Sequence, residues 1–175
     1  MALNLKELKE WPPEIVDLAG SARSAAANHT NSADFYRSLI KVSTWEGQGG
    51  DAAKVAMLAT AGDHEAVAEH LGTAATRMEH TSQEAEALAE TIKGILDDAA
   101  AQPAVQVDES TNQVIPPDTS YMTEEYAAQV AAKVTDLQQR TAAAVADGER
   151  LDAELAGAIA TATGTPARSE VGVVG

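Results

Sequence analysis

The chain has 175 residues, with 27 acidic against 12 basic side chains, a formal net charge of −15, no cysteine and six aromatic residues. Scattered Lys and Arg under an acidic excess disfavour nucleic-acid binding, which needs basic residues clustered on one face; the absence of cysteine excludes disulfide scaffolds, thiol catalysis and cysteine-ligated zinc. Leu, Ile, Val and Phe number only 32, and beside that net charge so few large apolar groups ordinarily indicate disorder. The 37 alanines change the reading. Alanine has the best helix propensity and loses no side-chain entropy, so the composition predicts long helices packed closely through small side chains. No apolar run approaches the roughly 18 residues needed to span a bilayer, and Met1 to Trp11 lacks the apolar core of a signal peptide.

In chain order, residues 4–11 predict a short amphipathic helix capped by Asn4, with Leu5, Leu8 and Trp11 on one side, ended by Pro12-Pro13. Proline is tolerated at the start of a new helix, and residues 13–43 form the predicted helix 1. Its stripe is Ile15, Leu18, Ala22, Ala25, His29, Ala33, Tyr36 and Ile40. Thr44 to Gly50 holds three glycines in four positions, which a helix interior tolerates only at about 1 kcal/mol each, so it reads as a connection. Helix 2 is expected over 51–99, opened by Asp51. Its first part presents Val55, Leu58 and Ala59, and Gly62-Asp63 marks a kink with a new cap. Leu71, Ala75, Met78, Ser82, Ala85, Ala89, Ile92 and Leu96 then alternate by four and three, with Leu88 and Ile95 widening the seam. At 1.5 Å per residue such a helix is about 70 Å long, the dimension of a rod.

Residues 105–115 alternate around the polar cluster Asp108 to Asn112 and predict a short β-hairpin. Helix 3 is expected over 123–162, where Thr123 caps and two glutamates favour the positive end of the helix dipole. Its stripe is Tyr126, Val130, Val134, Leu137, Thr141, Ala144, Gly148, Leu151, Leu155 and Ile159. Residues 164–175 read as a tail or linker. The expected fold is therefore all-α: an elongated antiparallel helical bundle over residues 1–163, a helical hairpin plus a third long helix, with a β-hairpin insertion.

Chemistry finds little support. No two of His29, His64, His70 and His80 have the spacing of three or four that places two metal ligands on one helix face, and a His-Glu-x-x-His motif begun at His64-Glu65 has Ala68 as its last residue. Gly47-Gln48-Gly49-Gly50-Asp51-Ala52 matches a dinucleotide fingerprint formally, but a helix precedes it and Asp51 puts negative charge where a phosphate belongs. No serine sits in a nucleophile elbow, and carboxylate pairs such as Glu84 with Glu86 and Asp97 with Asp98 belong to solvated faces. The acidic faces also disfavour anionic lipid surfaces. No catalytic residue, cofactor or metal is expected, and a non-enzymatic binding, scaffolding or delivery role remains.

Trp45-Glu46-Gly47 stands in the connection between two helical stripes. An indole there either packs the open end of the hairpin or stays half exposed as a contact for a partner. With this triplet, residues 13–99 resemble the WXG family of ESX (type VII) secretion substrates, helical hairpins with Trp-x-Gly at the turn. Leu8-Lys-Glu-Trp11-Pro12, Thr44-Trp-Glu-Gly47, Val107-Asp-x-x-x-Asn112-x-Val114-Ile-Pro116 and Leu151-Asp-Ala-Glu-Leu155 are similar, over nearly the whole chain, to N-terminal helical modules of actinobacterial, mycobacteria-type proteins, some of which carry a hydrolase or toxin domain downstream. The resemblance implies an export or targeting module with no catalytic residues, cytoplasmic before export and then secreted or envelope-associated without a cleaved signal peptide. It places the turn motif on Trp45 and Gly47. The family's export signal, Tyr-x-x-x-Asp/Glu, stands just beyond the hairpin's second helix; here the pattern occurs at Tyr121 and Glu125, about twenty residues farther on. Expected partners are secretion machinery, a chaperone, a cognate helical chain or a second copy, with no nucleic acid and no small-molecule substrate. Two other readings stay open: an acidic interaction or structural protein docking a basic partner, and a regulatory or oligomerisation segment of a larger hydrolase or toxin.

Overall fold

The computed structural model describes residues 3–164. The fold is all-α with one small hairpin: α1 (Leu5–Val42), α2 (Gln48–Ala100), β1 (Gln106–Asp108), β2 (Gln113–Ile115) and α3 (Glu124–Ala162). The expected tail falls, after Gly164, outside the described residues.

One expected helix boundary is absent. Pro12 and Pro13 do not divide the first 42 residues but lie inside α1. Their missing amides leave the carbonyls of Leu8 and Lys9 without the usual helical donors, and an interior proline costs about 3 kcal/mol. Opposing that cost is a continuous apolar stripe: Leu5, Leu8 and Ile15 are buried, and so is the ring of Pro12 between them. Packing along this stripe overrides local propensity. Gly62-Asp63 opens no newly capped helix, because α2 runs through it.

The chain divides into two compact sets of residues. The first comprises, among the described residues, 3–15 and 80–154. Here α2 and α3 run antiparallel: Lys133 donates to the Ala101 carbonyl (2.6 Å), Arg140 pairs with Asp98 (2.8 Å) and Arg150 with Glu84 (3.0 Å), so positions rise on one helix as they fall on the other. The hydrogen bonds to Asp98 and Glu84 hold the guanidinium pKa values of Arg140 and Arg150 above the ordinary range. Ala85, Leu88, Ala89, Ile92 and Ile95 of α2 are buried, as are Val130, Leu137, Thr141, Ala144 and Leu151 of α3. Gly148 belongs to the same stripe for steric reasons. A Cβ there would lie 2.7 Å from a methyl of Leu8, so the missing side chain is the space that α1 fills.

The β-hairpin fastens the start of α1. β1 and β2 pair antiparallel with Val107 opposite Val114, and the Asp108 carboxylate accepts from the amides of Ser110 (2.9 Å) and Thr111 (3.3 Å) to shape the turn. The turn ends in Asn112 at φ 62°, a left-handed conformation that asparagine tolerates better than most residues. From it the Asn112 side chain accepts from the Leu5 amide (2.9 Å) and donates to the Leu3 carbonyl (3.0 Å). The Lys6 backbone amide donates to the Glu109 carbonyl, and the Lys9 ammonium pairs with the Glu109 carboxylate. Asn4 caps α1 as expected: its side chain accepts from Glu7 N–H (2.8 Å) while Glu7 reaches back to Asn4 N–H (3.4 Å), a reciprocal capping box.

The second set comprises, among the described residues, 16–79 and 155–164. Its core is Ala19, Ala22, Ala74, Ala75, Met78 and Ala158, with Leu155 and Ala162 packed against it. Met78 is the one large buried side chain in that cluster. Arg77 donates to the Gly157 carbonyl (3.2 Å) and to Thr161 Oγ1 (2.8 Å), and Arg23 pairs with Glu79 (2.8 Å). The stripes hold with local shifts. Leu18 and Ile159, both expected inside, are exposed, while their neighbours Ala19 and Ala158 are buried; the close helix contact takes the smaller side chain.

Asn112 separates two terms of the hairpin's hold on α1. Asn112→Gly keeps access to the left-handed region but removes two hydrogen bonds, each worth about 0.5–1.5 kcal/mol net. Asn112→Ala adds about 1–2 kcal/mol of backbone strain. Urea unfolding followed by circular dichroism should therefore rank stability wild type, Gly, Ala, with Ala lowest by at least about 1 kcal/mol.

Candidate functional site

The α1–α2 connection is built around Trp45. α2 starts at Gln48, three residues before the predicted Asp51, so Gly49 and Gly50 form part of its first turn. The first amides of a helix have no intrahelical acceptor, so glycine disturbs less there than in the interior. Gly47 precedes the helix at φ 92°, a left-handed conformation that disfavours a side chain, and its carbonyl accepts from the Asp51 amide (2.9 Å). Asp51 lies in the first turn, where negative charge suits the helix dipole. Gly50 is buried because the tryptophan backbone lies on it: a Cβ at Gly50 would sit 2.6 Å from the Trp45 carbonyl oxygen and 3.1 Å from Trp45 Cγ. A Cβ at Gly49 would touch the indole at 3.4 Å. The indole thus rests on the glycine turn that opens α2 and remains 59 % exposed. Trp45 and Gly47 adjoin in this one turn.

Around that turn the apolar side chains face water. Phe35, Leu39, Val42, Val55 and Leu58 are all exposed, and so is Ala59, so the apolar residues of the first part of α2 do not form a buried face. Between Asp51 and Thr60 no residue is buried. The reason is composition: Ala33 and Ala61 are the buried residues of the nearby helix pair, and two helices touching through alanine leave little interior for larger groups.

Sequence reasoning missed the side chains that join α1 to α2 beside this patch. His29 and His64 bring their Nδ1 atoms to 2.8 Å, with ring centroids 5.1 Å apart. The Tyr36 ring stacks on His64 at 5.8 Å, and Phe35 meets Tyr36 edge-on. Arg37 binds both carboxylate oxygens of Glu65, and these hydrogen bonds hold the Glu65 carboxyl below its ordinary range and the Arg37 guanidinium above its own. A spacing rule applied along one helix cannot find a pair made between two helices. The available signal was the membership of His29 in the α1 stripe.

Tyr121 and Glu125 belong to the other set of residues. Asp118 accepts from the amide (2.9 Å) and hydroxyl of Ser120, which lowers its carboxyl pKa, and Met122 N–H donates to the Thr119 carbonyl (3.1 Å), closing a turn. Thr123 then caps α3, accepting from Tyr126 N–H at 3.2 Å. Tyr121 stands in this turn 96 % exposed, and Glu125 lies exposed in the first turn of α3. Among the described residues no three His, Cys, Asp or Glu side chains gather to hold a metal ion, and no helix is long and apolar enough to cross a membrane.

Two glycines of α2 should respond oppositely to alanine. Gly50→Ala should lower stability by about 1–3 kcal/mol through the clash with Trp45. Gly62→Ala, where an added Cβ meets nothing within 4 Å, should raise it by about 0.5–1 kcal/mol. Urea unfolding of the two variants checks both signs.

Neither a curated protein nor a solved structure matches the chain. One family profile does match, over residues 40–173, a span that includes the Trp45 turn, α2, the β-hairpin and α3. That span is well over half of the sequence, and the chain belongs to the family described as uncharacterised protein Rv0964c.

Proposed function

We propose that this chain is a non-enzymatic helical module of type VII secretion, a substrate in its own right or the delivery part of a larger protein. The observation that carries the reading is the exposed indole of Trp45 on a glycine turn, with Leu39 and Val42 exposed on the helix that enters it and Val55 and Leu58 exposed on the helix that leaves it. Apolar side chains held on the outside of two helices offer desolvation energy to a partner, and aromatic residues are the usual anchors of such contacts. Tyr121, 96 % exposed four residues before Glu125, supports the same reading, because a signal read by machinery must present its side chains to solvent. In this account the chain folds before export and is recognised in its folded form.

An acidic interaction protein that stays in the cell is the competing reading, and the same exposed apolar residues would serve it. Export separates the two. In an actinobacterial host with a working type VII system, wild-type protein should accumulate in culture filtrate, while Trp45→Ala and Tyr121→Ala should each reduce the filtrate fraction about tenfold, the equivalent of one anchor contact of about 1.4 kcal/mol. Immunoblots of filtrate and lysate measure this. Wild type confined to the lysate excludes the secretion role.

A further inference from the structure

The His29–His64 contact has no part in the export reading, yet it ties α1 to α2 through a bond whose existence depends on protonation. The two Nδ1 atoms stand 2.8 Å apart, so one ring donates its N–H and the other accepts on a bare lone pair. Such a bond tolerates at most one charge. A neutral imidazole or an imidazolium can donate, but the acceptor must be neutral. Once both rings are protonated, each Nδ1 carries hydrogen, and two N–H groups and two positive charges meet across the same gap. The tie then becomes a repulsion. Imidazole is the side chain whose charge ordinarily changes between about pH 5 and pH 8, so mild acid is enough to reach that state.

The neighbouring groups do little to offset a second charge. Among the described residues neither ring pairs with a carboxylate, unlike His80, which has Glu84 at 3.6 Å. From α1 the Tyr36 ring stacks on His64, and a phenol stays neutral over this range. Arg37 of α1 and Glu65 of α2 bind each other, with the Asp34 carboxylate adding to the hold on Arg37. Asp63, which precedes His64, is exposed, where water and salt screen its charge. The Arg37–Glu65 bridge also supplies a contrast. Arg37 holds the Glu65 carboxyl below its ordinary range, so that bridge is intact at pH 5 as at pH 7.5, and of these two ties the histidine pair is the one that responds. Burial adds little beside it: Ala33 and Ala61 are the buried residues of this stretch, so one polar tie is a large share of what holds the helices together here.

We propose that the His29–His64 bond is a pH-sensitive latch: it holds α1 to α2 while at most one of the two rings is protonated, and it releases when both are, loosening the helix pair on the side of the Trp45 turn. The test is hydrogen exchange of the full chain at about pH 7.5 and about pH 5, with each rate corrected for the intrinsic pH dependence of amide exchange. In the wild type, protection across residues 30–42 and 48–63 should fall about tenfold at the lower pH, the size of one lost hydrogen bond, while residues 85–99 serve as the internal reference. His29→Gln and His64→Gln should each reduce that change to less than about twofold, because a glutamine amide can donate to a neutral ring or accept from a charged one. His70→Gln should leave the wild-type response in place. A histidine acting alone would keep its effect when its partner is replaced, so the loss in both single variants is the signature of the pair. Circular dichroism reports whether each variant folds; where one does not, the other decides. Wild-type protection that changes no more than in the reference residues, or a pH response retained in either folded variant, overturns the proposal.

Discussion

Helices that meet through alanine can approach closely, but each contact buries little apolar area, and much else in this protein follows from that trade. At about 25 cal/mol per Å² of apolar surface removed from water, an alanine contributes far less than a leucine. Stability must then be gathered over many turns, which is why 37 alanines accompany helices of 38, 53 and 39 residues. The same closeness decides which residues lie inside. Where Leu18 competes with Ala19, or Ile159 with Ala158, the alanine is buried. Where even an alanine is too large, glycine stands instead, as at Gly148 beneath Leu8.

That constraint also explains the distribution of large apolar groups. Leu5, Leu8, Ile92, Ile95, Leu137 and Leu151 fill the interior of the first set of residues, whereas near the α1–α2 connection the contact reduces to small residues and the larger ones face water. An exposed cluster of this kind costs solubility, and the high net charge offsets the cost. The β-hairpin serves a different need: it supplies, through Asn112 and Glu109, the polar partners that α1 requires at its N-terminus.

Much of this was legible in the residues. The heptad-like run from Ala75 to Ile95 and the α3 stripe from Val130 to Leu151 are periodic enough to reveal both the helices and their buried faces. Thr123 and Asn4 were legible as caps because capping chemistry is local. The misreadings share one cause, a local rule outweighed by a distant contact. Pro12-Pro13 reads as a break only when the stripe of Leu5, Leu8, Pro12 and Ile15 is ignored. Gly49 and Gly50 read as a loop, yet they lie in the first turn of α2, where glycine disturbs least, and the Trp45 backbone leaves no room for a side chain at Gly50. Val55 and Leu58 have the spacing of a buried face, and nothing local to them shows that no third surface covers it. The histidine contact, between residues 35 positions apart, is invisible to any single-helix pattern.

The central claim is that α2 draws its stability from small-residue burial along its C-terminal half and has little such support near the Trp45 turn. Native-state hydrogen exchange of the α2 backbone amides tests this most directly, since protection follows local burial and contact. The account predicts strong protection across Ala74 to Ala99, where a buried side chain recurs every three or four residues, and protection lower by at least about tenfold, or 1.4 kcal/mol, across Asp51 to Thr60. Uniform protection along α2, or its maximum beside the Trp45 turn, would contradict it.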